Sequence, residues 1–198
     1  EQLASFKQLP NLLSNHPKVI EAFEGNSDIK SINELLQSTV FLSGSEQILI
    51  INKSGKVIAS SKLVLGEPTE KTINPDEPYV QAALNGRLGY FYAVDKQSLA
   101  RTIFIARGIY SSSLSPQGVV IIKVDVPTLE YQWDVDDVSL AFFDANNVAF
   151  ITNRPSIALR RIGSLDEPFL ETKHYKKNQI SKFFDYKKLM LLNHTILK

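Results

Sequence analysis

The feature that most constrains this chain is a change of hydrophobic period at Gln47. Before it, apolar residues recur at three-to-four spacing; after it, they fall into short runs of strand length. Leu3, Phe6 and Leu9 mark a first helical segment, and Pro10 predicts a break. Asn15-His16-Pro17 marks a second start, with proline in a first turn that does not need its N–H. Ser27 is the expected cap of a third segment, whose buried face carries Ile32, Leu35, Leu36 and Thr39. Beyond Gln47 the run to Ile51, the turn Asn52-Lys53-Ser54-Gly55 and the run Val57 to Ser60 predict a hairpin. A polar stretch from Gly66 to Pro78 then leads to Tyr79, Val80, Ala83 and Leu84 at helical spacing, stopped by Asn85-Gly86. Three strand candidates come next: Leu88 to Val94, Arg101 to Tyr110 and Gly118 to Val126.

Helix, two strands, helix, three strands is the order of a PAS-like α+β unit. The expected form is a five-stranded antiparallel sheet with helices on one face, in which the central helix and last three strands enclose a small-molecule pocket. A shorter second pass comes after it. Leu140 to Asp144, Ala145-Asn146-Asn147 and Val148 to Thr152 repeat the first hairpin, with Asp144 in the place of Asn52 and Asn147 in that of Gly55. Pro127 to Trp133 reads as a connecting helix. After Arg154-Pro155 the chain turns polar, with Lys173, Lys176, Lys177, Lys182, Lys187 and Lys188, before an apolar run at Leu189 to Leu192. We therefore expect a helical stalk over 1–45, a PAS-like unit over 46–134, and a smaller or incomplete second unit over 135–198.

Composition narrows the function classes. Among 198 residues, 22 Lys and Arg against 21 Asp and Glu give a net charge of +1, which supplies no field to hold a phosphate backbone, so nucleic acid is not an expected partner. The absence of cysteine removes disulfides, thiolate metal sites and thiol nucleophiles. No run reaches the roughly 20 apolar residues that cross a bilayer. The chain begins at Glu1 without a signal-like segment, and so reads as a piece of a longer protein.

Motifs for catalysis are missing. His16, His174 and His194 have no metal-ligand spacing, and no metal or cofactor is expected. Ser43-Gly44-Ser45 lacks the second glycine of a nucleophile elbow, and Ser54-Gly55-Lys56-Val57 is a hairpin turn rather than a phosphate loop. Asp134, Asp136 and Asp137 read as solvated linker acids. What remains is charge inside strands. Arg101 and Arg107 share a side by period-two counting, and Lys123 sits near the end of an apolar run. A buried cation needs a carboxylate partner or an anionic ligand. Asp125, on the same face as Lys123, and Asp95, near Arg101 in sequence, are the internal candidates, while Tyr79, Tyr90 and Tyr92 are candidate cavity lining or plain core.

Several segments carry a family resemblance. Tyr79 to Leu84, Asn85 to Ala93, Ser98 to Arg101, Gly118 to Asp125, Leu129-Glu130 and Trp133 together resemble the periplasmic sensor region of four-carbon-dicarboxylate sensor histidine kinases. Leu9-Pro10, Asn15 to Val19 and Thr152 to Ser156 are similar in the same order, and Lys-Val-Asp-x-x-x-Leu-Glu-x-x-Trp is the most specific string. The resemblance implies a double Cache (tandem PAS-like) domain, anchored by a transmembrane helix at each end, joined to a cytoplasmic kinase core and binding ligand in its distal unit. It places Arg101 and Lys123 at the family's strand arginine and lysine. Where relatives have Arg-Pro-Tyr-Phe, this chain has Glu77-Pro78-Tyr79-Val80, so one carboxylate-binding cation is replaced by an acid.

The expected ligand is thus a small organic acid or zwitterionic metabolite. Tyr79, Tyr92, Ser98, Arg101 and Lys123 are the expected binding residues, with Glu77, Asp95 and Arg107 as specificity positions. The expected partners are that ligand and a second copy through the stalk, in the periplasmic part of an inner-membrane protein. The alternatives are the sensor of a chemoreceptor or diguanylate cyclase, separable by the output domain beyond the second membrane span, a ligand-free structural module, separable by whether side chains plug the cavity, and a soluble enzyme domain.

Overall fold

The computed structural model describes residues 2–25, 28–112, 114–131, 140–163 and 172–182. Ser27, Trp133, Asp134, Asp136, Asp137, Lys187, Lys188, His194 and the run Leu189 to Leu192 lie outside the described residues. Contacts group the chain into two compact units, residues 1–95 with 102–125, and residues 96–101 with 126–198. The helical region expected as a separate stalk therefore belongs with the first sheet, and the line between units falls at 125 rather than 134.

In the first unit, α1 (Gln2–Ser14), α2 (Pro17–Glu21) and α3 (Ile29–Ser43) precede β1 (Gln47–Asn52) and β2 (Val57–Ser60). The small hairpin β3 (Leu63–Val64) and β4 (Glu67–Pro68) leads to α4 (Pro78–Leu84), then β5 (Gly89–Val94), β6 (Arg101–Ile109) and β7 (Gly118–Asp125). The sheet order is β2-β1-β7-β6-β5, with β7 antiparallel to both β1 and β6. The expected five strands and their antiparallel pairing are present.

Two local expectations change. Helix α1 runs through Pro10. Proline removes one i to i−4 bond, but Phe6, Pro10 and Leu13 are buried and the helix packs on β7, so tertiary contact outweighs the missing bond. Helix α3 is capped by Asp28, whose side chain accepts from the N–H of Ser31 at 3.2 Å.

The helices also cover both faces of the sheet, not one. A Cβ on Gly118 would meet the Phe23 ring at 2.4 Å, whereas a Cβ on Gly108, whose pairing partner is Val119, would meet the Ala83 carbonyl of α4 at 2.7 Å. Alternation then puts Val119 and Ile121 with Val80 and Ala83 in one core cluster, and Val120 and Ile122 on the side of the N-terminal helices. Burial on two faces explains why β7 reads as an unbroken apolar run, which an antiparallel sheet with one wet face does not need. At the edge, buried Asn33 of α3 accepts the Ser60 N–H of β2 at 2.9 Å.

The second unit contains α5 (Val126–Glu130), the antiparallel hairpin of β8 (Ala141–Phe143) and β9 (Ala149–Thr152), and a parallel pair of β10 (Arg160–Arg161) and β11 (Ser181–Lys182). Its hairpin turn repeats the side-chain bonding of the first. Asn52 Oδ1 accepts the N–H groups of Ser54 and Lys56, and Asp144 Oδ1 accepts those of Asn146 and Val148. Gly55 at φ +84° and Asn147 at φ +56° hold the same left-handed position.

Gly89 has to be glycine for a packing reason, because a Cβ there would lie 2.0 Å from the Tyr79 carbonyl oxygen. Gly89→Ala is expected to cost about 1–3 kcal/mol by forcing α4 off β5. Urea unfolding checks this; a change below about 0.5 kcal/mol would contradict the contact.

Candidate functional site

The α4 face of the sheet ends in charge. On β7 the row Val119, Ile121, Lys123 points towards α4, so Lys123 is the polar continuation of a core row and is only 1% exposed. On β5 the row Phe91, Ala93 continues to Asp95 just past the strand end. Glu70 lies two residues beyond β4. These three meet: Lys123 Nζ donates to Asp95 Oδ2 at 2.9 Å and to Glu70 Oε1 at 2.5 Å. The ammonium also lies 5.8 Å from the centroid of the Phe104 ring, its directly paired neighbour on β6. A lysine carrying its charge this deep requires such partners, because desolvation alone costs several kcal/mol.

Tyr79 adds a second polar group to the same face. Glu77 and Pro78 open α4, with Pro78 supplying the preset φ of a first turn. The Tyr79 ring stacks on Phe104 at 4.8 Å and on Phe91 at 6.3 Å, and the residue is 5% exposed. Its hydroxyl makes no hydrogen bond among the described residues. Burial pushes the phenol well above its ordinary value of 10, and the negative charges of Glu77, Glu70 and Asp95 push it further. Three carboxylates therefore act on the hydroxyl, and two of them, Glu70 and Asp95, hold the ammonium.

The other expected residues fall elsewhere. Arg101 belongs to the second unit, where Nη1 and Nη2 bond Glu130 Oε1 and Oε2 at 2.6 and 2.7 Å, and Nη1 also bonds the Phe150 carbonyl at 2.6 Å. Glu130 Oε1 in turn accepts the Thr152 N–H at 2.5 Å, so this buried pair ties α5 to β9. Ser98 is exposed in the same unit and accepts the Ala100 N–H at 3.3 Å. Tyr92 alternates with Phe91 and Ala93 along β5, as does Tyr90, over which Lys7 of α1 lies at 5.4 Å, but the Tyr92 ring stacks on that of Phe91 with centroids 6.2 Å apart. Arg107, half-buried, stands in the row of Ile103, Ile105 and Ile109, opposite in parity to Phe104. The structure thus brings together Tyr79, Asp95 and Lys123, with Glu77 in electrostatic reach, puts Tyr92 against the Phe91 ring at the edge of that group, and leaves Ser98, Arg101 and Arg107 outside it.

Sequence reasoning missed Glu70. It stands in an aperiodic polar loop 53 residues before its partner, and nothing in spacing or composition distinguishes it from its neighbour Lys71. Lys123 takes Asp95 and Glu70 as partners rather than Asp125, because the strand end of β5 brings Asp95 directly onto the lysine row.

Two expectations test this arrangement. Lys123→Met leaves two carboxylates without their cation and is expected to destabilise the domain by about 3–5 kcal/mol in denaturant titration, against less than 1 kcal/mol if the ion pairs are solvated. Tyr79 holds its proton more tightly folded than unfolded, so its contribution to stability is complete below pH 10 and is lost as pH rises above it. Tyr79→Phe is accordingly expected to flatten the fall of unfolding free energy above pH 10, measured by urea titration at successive pH values.

No family model matches the chain. The C4-dicarboxylate transport sensor protein DctB of Pseudomonas aeruginosa is 24% identical over 155 residues, covering 77% of this chain and 25% of that protein. The sensor domain of the V. cholerae histidine kinase DctB matches with a TM-score of 0.73 at 20% identity, over 83% of this chain and 65% of that one. The ligand-binding domain of the Campylobacter jejuni chemoreceptor Tlp3, in complex with 4-methylisoleucine, matches with a TM-score of 0.62 at 17% identity, over 78% and 66%. The chain therefore spans a quarter of its curated relative and about two thirds of each solved domain. It has the fold of these Cache-type sensor domains, and its sequence resembles that of the C4-dicarboxylate sensor kinases.

Proposed function

We propose that this chain is the extracytoplasmic ligand-sensing part of a membrane-bound sensor histidine kinase, and that the α4 face of its first unit is where a small organic acid or zwitterionic metabolite binds. The observation that carries the reading is the buried Lys123, held with Asp95 beside a buried Tyr79 whose hydroxyl has no partner among the described residues, within a sensor-domain fold. Apolar floor and convergent polar groups are what small-molecule recognition requires. Among the described residues no helix is long and apolar enough to cross a membrane, so anchoring belongs to flanking chain in this reading. Ligand binding shifts the population between two arrangements of a dimer joined through its N-terminal helices, and that shift is the signal that crosses the membrane.

The same sensor attached to a chemoreceptor or diguanylate cyclase keeps the ligand site and changes only the output domain. A ligand-free structural module is the second reading, and one observation favours it: Lys123 already has two carboxylate partners inside the chain.

A thermal-shift screen of the domain against organic acids, amino acids and amines separates the two. The sensor reading expects at least one compound to raise Tm by about 2–4 °C at tenfold excess over its Kd. A flat response across every class would support the structural module. An alkaline phosphatase fusion to the full-length protein within this domain is expected to be active, and an inactive fusion would place the domain on the cytoplasmic side.

A further inference from the structure

Away from the α4 face, a cavity of about 300 Å³ lies between α2 and α3, lined by Lys18, Glu21, Asp28, Ser31 and Ile32. We propose that it is a second binding site and that it takes a small zwitterion of the size of an α-amino acid. Ligand clefts offer about 300–1,000 Å³, so this one admits a molecule of that size and little more. Its floor is apolar, since Ile32 is 1% exposed.

The walls carry both signs of charge, and those charges do not neutralise one another. Lys18 and Glu21 stand at the i, i+3 spacing on α2, where opposite charges on one helix ordinarily pair. Here the Lys18 ammonium crosses to α3 instead and donates to Ser31 Oγ at 2.6 Å. The Glu21 carboxylate has no hydrogen bond or ion pair among the described residues, and Asp28 accepts only the Ser31 N–H, through Oδ1 at 3.2 Å. A cation bonded to a neutral hydroxyl and two acids without a cation therefore line one cleft. An amine alone leaves Lys18 unmatched, and a carboxylate alone meets two acids. A zwitterion answers both: its carboxylate accepts from Lys18 and the Ser31 hydroxyl, and its ammonium donates to Glu21 and Asp28. One consequence rests on the sensor reading, in which the dimer is joined through its N-terminal helices. A ligand bridging α2 and α3 then acts on the element that carries the signal and modulates it from a second place.

The test follows backbone amide shifts by NMR in the 198-residue chain, with glycine, L-alanine and L-serine as zwitterions, ethylamine as the amine and propionate as the acid. At least one zwitterion is expected to shift the amides of Ser31 and Ile32 to saturation, with ethylamine and propionate binding at least tenfold more weakly. Lys18→Met and Glu21→Gln are each expected to raise the Kd of that zwitterion about tenfold; both side chains are exposed, so the variants keep the fold. Unchanged Kd in both variants overturns the assignment of the charges, and ethylamine or propionate binding as tightly as the zwitterions overturns the ligand class. Shifts confined to Tyr79, Lys123 and their neighbours overturn this site and leave the sensor reading standing. No shift at Ser31 and Ile32 with any probe overturns the site as well.

Discussion

The arrangement of the first unit turns on one buried ammonium. A sheet covered on both faces has no wet side on which to place a lysine, yet β7 carries Lys123 in the row that continues Val119 and Ile121. Desolvation makes that position untenable without acids at hand, and the chain supplies them from two directions: Asp95 from the end of β5 and Glu70 from the loop after β4. The loop between β2 and α4 is thereby fixed onto the sheet, beside Gln47, whose amide reaches Ser60 and Thr69 at 3.4 and 3.5 Å.

The second unit handles its own buried cation differently. Arg101 is matched by a single carboxylate in a two-point contact, and the third bond goes to a backbone carbonyl. A planar guanidinium saturates Glu130 and leaves no surplus charge, whereas the compact lysine ammonium gathers two acids. Of the two cations that align with the family this chain resembles, one is thus held by a single carboxylate and a backbone carbonyl, and the other by two carboxylates.

Where local chemistry decides structure, the residues are legible. Asn52 and Asp144 read as equivalent turn positions because an Asx side chain bonding two N–H groups further along the chain needs no help from distant residues, and both turns bear this out. Element order and strand limits come from period and punctuation in the same way, down to Asn85-Gly86 after α4. Tertiary effects are not legible. Pro10 breaks an isolated helix but not one packed on β7. Glu70 has no local signal, and Arg101 reads as a pocket cation until the fold brings Glu130, 29 residues on, to neutralise it.

Burial of Lys123 depends on its coupling to Glu70 inside the fold, and a double-mutant cycle with Lys123→Met, Glu70→Gln and the double variant measures that coupling. A coupling of about 2 kcal/mol or more in unfolding free energy is expected, since removing the cation costs less when one acid has already been neutralised. Additive effects, within about 0.5 kcal/mol, would contradict it.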